Sequence, residues 1–86
     1  MTAEVTRKVV VYSTPLCAPC ESLKQFLRSI GIAFVAKDLM MDEEAAEYIE
    51  SKGIRSSPVL QIDDQLYYGS DLGKERIEQL FSVTPR

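Results

Sequence analysis

Apolar and polar positions alternate along the chain in a way that predicts short strands and helices in turn. Lys8-Val9-Val10-Val11-Tyr12 is an unbroken β-branched and aromatic run, the pattern of a strand buried on both faces, as in a parallel sheet. Ser13-Thr14-Pro15 reads as a helix start, a capping residue just ahead of a proline suited to the first turn. Leu16, Leu23, Phe26, Leu27 and Ile30 then recur at helical spacing, and Gly31 stands where a C-terminal glycine cap belongs. The first helix is therefore expected over residues 16–30. A second strand is expected over residues 32–39. A second helix is expected over residues 43–52, with an acidic first turn that suits the helix dipole, an apolar stripe of Ala45, Ala46, Tyr48 and Ile49, and Gly53 to close it. Pro58-Val59-Leu60-Gln61-Ile62, the tight turn Asp63-Asp64 and the return Gln65-Leu66-Tyr67-Tyr68 read as a hairpin. Gly69-Ser70-Asp71 breaks the chain. A last helix over residues 72–81 buries Leu72, Ile77, Leu80 and Phe81, and Val83-Thr84-Pro85-Arg86 reads as a frayed tail.

The order is β-α-β-α-β-β-α. The β-α-β unit demands parallel strands joined by a right-handed crossover, and the hairpin demands antiparallel ones. An α/β fold satisfies both, with a mixed four-stranded sheet flanked by three helices that cover both faces. At 86 residues the chain has room for one domain, 1–86, and one modest core. No internal repeat, linker or low-complexity stretch interrupts it.

Composition narrows the function classes. Apolar residues at 45% and charged residues at 27% are those of an ordinary globular protein. A net charge of −3 supplies no basic field for nucleic acid or an anionic membrane. No apolar run approaches the roughly 20 residues that span a bilayer. Residues 1–8 show no apolar stretch of signal-peptide length, so a cytoplasmic location is expected; the chain is also expected to be a monomer.

Two cysteines and no histidine exclude a disulfide-rich scaffold and a four-ligand zinc site within one chain. A redox pair, a metal site shared between subunits, or inert thiols remain. Cys17-Ala18-Pro19-Cys20 sits between the first strand and the first helix. That spacing puts the sulfurs one turn apart on one face, near the separation a disulfide needs. Cys17 falls where unpaired N–H groups and the positive end of the helix dipole converge. Such placement lowers a cysteine pKa from about 8.5 to between about 3.5 and 7.5. Cys17 is thus the candidate nucleophile, exposed at the helix start, and Cys20 the shielded resolving thiol. Pro19 falls in the first turn, where its missing N–H loses no helical bond. Two inert thiols would have no reason to fall at a strand-to-helix junction in a chain without other cysteines. Pro58 opens a strand and cannot donate a ladder bond. A trans proline and a cis Ser57–Pro58 bond both satisfy this, trans being the commoner.

Residues 12–20, Tyr-Ser-Thr-Pro-Leu-Cys-Ala-Pro-Cys, resemble the first strand and active-site loop of the glutaredoxin branch of the thioredoxin superfamily. Gly53-Ile54-Arg55-Ser56-Ser57-Pro58 is similar to that family's cis-proline stretch, often Arg-Thr-Val-Pro, and Gly69-Ser70-Asp71 to its late glycine-containing turn. The resemblance covers nearly the whole chain. It implies a thioredoxin-like fold, a cis Pro58 against the cysteine pair, and a Ser57 backbone that pairs with an incoming thiol substrate as an added strand. It also implies a groove completed by Gly69, Ser70, Asp71, Arg55 and the loop Thr14, Pro15 and Leu16.

The departures from that family point to the electron donor. Glutathione-using members often carry a lysine before the first cysteine, whereas Ser13, Thr14 and Pro15 bear no charge. The late turn, often Gly-Gly-x-Asp-Asp, reads Tyr68, Gly69, Ser70, Asp71 and Leu72 here, and Ser57 stands in the usual valine position. A thioredoxin proper fits less well, because no tryptophan precedes Cys17 and Val11 occupies the place of that family's buried aspartate. The resemblance therefore implies an enzyme of electron transport and cell redox homeostasis that reduces protein disulfides. Its donor would be a thioredoxin reductase, as for the NrdH-type redoxins that serve ribonucleotide reductase, although their tryptophan-containing segment is missing. Glutathione is the alternative donor and co-substrate. An iron–sulfur cluster held through Cys17 between two copies is a further reading, against which Pro19 weighs. No tightly bound cofactor or metal is implied beyond the redox-active Cys17–Cys20 pair. Arg55 suits a substrate carboxylate or is a solvated charge, and Asp71 either caps the last helix or receives an ammonium group. Asp42, Glu43, Glu44, Glu47 and Glu50 read as a solvated face, and Tyr68 as a border of the groove.

Overall fold

Strand β1 (Val9–Ser13) is buried along its whole length. Its side chains alternate between two cores. Val9 and Val11 pack with Leu60 and Ile62 against Leu23, Leu27 and Ile77, while Val10 and Tyr12 pack with Val59 against Ala45, Ile49 and Ile54. This two-sided demand is why the run 8–12 is continuously apolar rather than alternating. The computed structural model describes residues 8–81. The readings of the segment before Lys8 and of the tail Val83–Arg86 lie outside the described residues.

After β1 come α1 (Ala18–Ser29), β2 (Val35–Asp38), α2 (Glu43–Ser51), β3 (Val59–Ile62), β4 (Gln65–Tyr68), a 3-10 turn (Gly69–Leu72) and α3 (Lys74–Phe81). The sheet order is β2-β1-β3-β4, with β1 parallel to β2, and β3 antiparallel to both β1 and β4. The two core clusters put α1 and α3 on one face and α2 on the other. The expected mixed sheet with helices on both faces is the one observed. Among the described residues, no helix is long and apolar enough to cross a membrane.

Glycine ends both of the longer helices. Gly31 (φ 79°) and Gly53 (φ 75°) lie in the left-handed region just past α1 and α2. Their N–H groups donate to Arg28 O at 3.1 Å and Glu50 O at 2.9 Å, answering one of the orphan carbonyls at each helix end. At the start of α2, Asp42 accepts from Ala45 N–H at 3.0 Å, a side-chain cap. Glu43, Glu44, Glu47 and Glu50 are exposed, as a solvated face requires.

Several boundaries differ from expectation, each for a physical reason. The first helix starts at Ala18, not at residue 16. Ser13 closes β1, and the first-turn proline is Pro19 rather than Pro15. Leu16 leaves the expected apolar stripe: it takes a left-handed backbone (φ 56°) and is fully exposed. The second strand keeps only residues 35–38, because Val35 to Asp38 are the ones with partners on β1. Ile32 and Phe34 pack instead against the core beneath α1 and α3. The last helix is divided at Gly73, whose extended backbone (ψ 152°) separates the 3-10 turn from α3. Ile77 N–H bonds to Gly73 O, so Gly73 holds the cap position expected of Asp71.

One buried polar pair ties β1 to β3. Tyr12 donates its hydroxyl proton to Gln61 Oε1, and Gln61 Nε2 donates to Asp63 O at 2.7 Å. Burial, then the neighbouring charges of Tyr48 and Asp42, push the Tyr12 phenol above its ordinary value. A raised phenol pKa stabilises the fold below the unfolded value of about 10 and withdraws that contribution as the pH rises past it. Tyr12→Phe strands a buried amide oxygen and is expected to cost about 1–3 kcal/mol in urea unfolding at neutral pH. The gap to the unmodified protein should narrow above pH of about 10; a gap that widens there would contradict the assignment.

Candidate active site

The junction between β1 and α1 places the cysteines. Leu39 N–H bonds to Ser13 O at 2.8 Å, pinning the end of β1 to the segment after β2. The left-handed turn at Leu16 then swings the chain into α1. Cys17 is the N-cap of that helix, with extended backbone (φ −114°, ψ 103°). Its Sγ accepts from Cys20 N–H at 3.2 Å. The sulfur therefore does what a serine or aspartate oxygen does at most helix starts. Pro19 sharpens the arrangement. An N-cap side chain accepts from the second or third helical N–H, and Pro19, at the second position, has none. Cys20 N–H is the remaining donor.

Cys17 and Cys20 are joined as a disulfide, with Cα atoms 5.2 Å apart, so the structure shows the oxidised form. Cys17 is half-buried, less open than expected, and Cys20 is fully buried at 0% exposure. Opening the bond leaves Cys17 facing a bonded N–H and the positive end of α1, which favours its thiolate.

The loop before β3 faces this pair. The Ser57–Pro58 peptide is cis. Pro58 is buried, and the β3 ladder begins only at Val59, so the Ser57 backbone lies outside the sheet pairing. The Ser57 hydroxyl stands 4.0 Å from Cys17 Sγ and 3.2 Å from the Thr14 hydroxyl.

Two hollows flank this loop. The larger, about 490 Å³, runs between α1 and α3. Pro19, Ser22, Leu23 and Phe26 line it from α1, Ser56, Ser57 and Pro58 from the loop, and Gly69, Leu72, Lys74 and Ile77 from the far side. Among the described residues, Lys74 is the one charged residue in that lining, and its Nζ lies 5.8 Å from the centre of the Phe26 ring. The smaller hollow, about 300 Å³, lies on the side of α2 and includes Thr14, Ile49, Glu50, Ile54, Arg55 and Ser57. Ser56 and Ser57 form the wall between the two.

The structure thus brings Thr14, Ser57, Pro58, Cys17 and Cys20 together, with Gly69 across the larger groove and Arg55 in the smaller hollow. Pro15 and Leu16 are exposed and line neither hollow, nor do Ser70 and Asp71, although Gly69 and Leu72 of the same turn line the larger. Tyr68 is exposed and does not border either one. The groove walls Leu23, Phe26, Leu72 and Ile77 read from sequence as core alone. The three-residue spacing of Leu23 and Phe26 does mark one face of α1, but nothing in periodicity separates a face that packs from one that also borders a cleft. Lys74 carries no sequence signal.

Comparison with known proteins follows this geometry. A family model described as glutaredoxin matches residues 9–67, more than half of the chain. An uncharacterised glutaredoxin-like protein of 8.6 kDa from the rubredoxin operon of Clostridium pasteurianum is 33% identical over 73 residues, covering 84% of this chain and 95% of that one. The structure of the glutaredoxin-like NrdH-redoxin of Escherichia coli, described as having a thioredoxin-like activity profile, superposes with a TM-score of 0.75 at 25% identity, over 85% of this chain and 93% of that one. A glutaredoxin of Archaeoglobus fulgidus superposes with a TM-score of 0.69 at 25% identity, over 86% and 85%.

The unequal burial of the two sulfurs makes a direct prediction. After reduction, iodoacetamide near neutral pH should label Cys17 at least about tenfold faster than Cys20, since thiolate fraction and access both favour it. Peptide mapping of the labelled protein reads the ratio, and equal labelling in the folded state would contradict the geometry.

Proposed function

The chain belongs to the glutaredoxin family, and on that premise we propose that it is a dithiol oxidoreductase that reduces disulfides of protein partners. The observation that carries this reading is the disulfide between a half-buried sulfur at the cap of α1 and a fully buried one a turn inside the helix. In the reduced enzyme, the Cys17 thiolate attacks one sulfur of the substrate disulfide. The substrate S–S bond breaks, a Cys17–substrate disulfide forms, and the departing thiolate takes a proton from solvent. Cys20, as its thiolate, then attacks Cys17 Sγ, the mixed disulfide breaks, and the second substrate thiol leaves. Two electrons have passed to the substrate and Cys17–Cys20 is again oxidised. A donor returns two electrons and two protons to reopen it. Ser57 presents backbone outside the sheet to an extended substrate segment, as an added strand would require.

The groove chemistry favours a protein donor over glutathione. Glutathione carries two carboxylates and an ammonium group, and its capture calls for several charged partners. Among the described residues, the larger groove offers mostly apolar walls, three serines and a single charge, Lys74. A protein surface with an apolar contact segment is the better match, and a thioredoxin reductase is the donor of that class. Arg55, in the smaller hollow, is the residue on which glutathione use would depend. A reducing compartment such as the cytoplasm is the setting in which such a pair serves as catalyst rather than as a staple.

NADPH consumption coupled to reduction of a protein disulfide tests the donor. Turnover is expected to be faster with thioredoxin reductase than with glutathione plus glutathione reductase; rapid turnover with glutathione alone would reverse the assignment. With the productive donor, Cys17→Ser should fall to the background rate, and Cys20→Ser should accumulate a mixed disulfide visible by mass spectrometry. Undiminished activity of Cys17→Ser would remove Cys17 from the nucleophile role.

A further inference from the structure

We propose that the hydroxyls of Thr14 and Ser57 form a donor relay that stabilises the Cys17 thiolate between catalytic steps. The inference rests on the dithiol reading above and adds two residues to its machinery. Ser57 touches the reacting sulfur; Thr14 acts through Ser57 and is a positioning residue.

The direction of the relay follows from counting protons. Cys17 Sγ is in a disulfide and carries no hydrogen, so the 4.0 Å contact between Ser57 Oγ and that sulfur is a hydrogen bond only if Ser57 donates. A serine hydroxyl has one proton. Once it points at the sulfur, the 3.2 Å contact between Thr14 and Ser57 requires Thr14 to donate. The chain then runs Thr14 O–H to Ser57 Oγ, and Ser57 O–H to Cys17 Sγ. Linked bonds of this kind polarise one another, so the terminal donor strengthens. Cys20 N–H contributes a further bond to the same sulfur at 3.2 Å.

A disulfide sulfur is a weak acceptor, which fits the long contact. Reduction replaces it with a full negative charge, and bonds to an ionised acceptor are roughly twice as strong as neutral ones. The relay therefore favours the reduced, ionised state of Cys17 more than the oxidised one. Both contacts are part-buried, so water competes less for the hydroxyls. Charged groups on the surrounding elements include Glu21 on α1, Glu50 on α2, Arg55 in the loop and Lys74 on α3. Glu21 pairs with Lys24 at 3.1 Å, and among the described residues none of the four bonds to Cys17. The relay is thus a neutral device, and its effect should resist salt where a charge–charge effect would be screened.

The test titrates Cys17 in a Cys20→Ser background, in which one thiol remains because the chain has no other cysteine. The readouts are ultraviolet thiolate absorbance and the rate of iodoacetamide labelling against pH, at low and high salt. Adding Ser57→Ala should raise the Cys17 pKa by about one unit, and Thr14→Val by a smaller amount, with little change between the salts. Ser57→Thr should hold the original value, because it keeps the donor. An unmoved pKa in Ser57→Ala, or an equal rise in Ser57→Thr, overturns the relay. Thiol counting before and after oxidation of the unmodified protein keeps the two readings apart. If it fails to form and release Cys17–Cys20, the dithiol reading falls; if it cycles while Ser57→Ala leaves the pKa unchanged, only the relay falls.

Discussion

A helix must find acceptors for its first N–H groups, and in this chain one acceptor is the sulfur of Cys17, the proposed nucleophile. Cys17 Sγ takes the N–H of Cys20, so one interaction both starts α1 and holds that sulfur at the positive end of the helix. Pro19 makes the arrangement specific by removing the competing N–H at the position before Cys20. Cys20 is by the same geometry a turn deeper, where α1 turns it into the interior at 0% exposure. The structural role and the proposed catalytic one coincide in this capping interaction. Replacing Cys17 with a poorer acceptor would weaken the helix start as well as the proposed reaction.

The rest of the fold keeps that junction in place. β1 is central, packed on both faces, and hydrogen-bonded to β2 on one side and β3 on the other. Its end therefore has little freedom, and the loop that leaves it reaches α1 at a defined point. The antiparallel β1–β3 pairing brings the start of β3 beside the end of β1, with Tyr12 opposite Val59. Ser57 and Pro58, just before β3, are thereby delivered to Cys17 from forty positions away in sequence. A parallel β1–β3 pair would have put them beside the opposite end of β1. The antiparallel pairing is thus what converts two distant loops into one site.

Much of this was legible in the chain. Val9 to Tyr12 announced a strand covered on both faces, and Gly31 and Gly53 marked the helix ends where they were found, at positive φ. The cysteine pair was legible for the same reason: its chemistry depends on local spacing at a strand-to-helix junction. The helix start was misplaced because Ser13-Thr14-Pro15 carries the usual oxygen cap and proline signals, while the cap is a sulfur three residues beyond Thr14. Leu16 looked like a core position by spacing and is fully exposed, since a residue outside the helix no longer obeys its period. Lys74 and the cleft face of α1 were unreadable because a groove is a relation between two elements. Periodicity along either one records only that it has an apolar face.

The site's two sides differ in kind, and the difference bears on partner choice. Ser56 and Ser57 divide a larger, mostly apolar groove from a smaller hollow containing Arg55 and Glu50. A substrate segment docked along Ser57 would lie at this divide, with side chains entering the larger groove on one side. Apolar walls select by area and shape, and a single lysine at the rim selects weakly by charge. Several partners with modest apolar contact surfaces would satisfy such a groove, whereas a small charged tripeptide would leave its ionised groups under-compensated. The same walls are made by Leu23, Phe26 and Ile77, which also fill the core under α1 and α3. Reshaping the groove to place more charge there would therefore cost core packing, and the fold itself keeps these walls largely apolar.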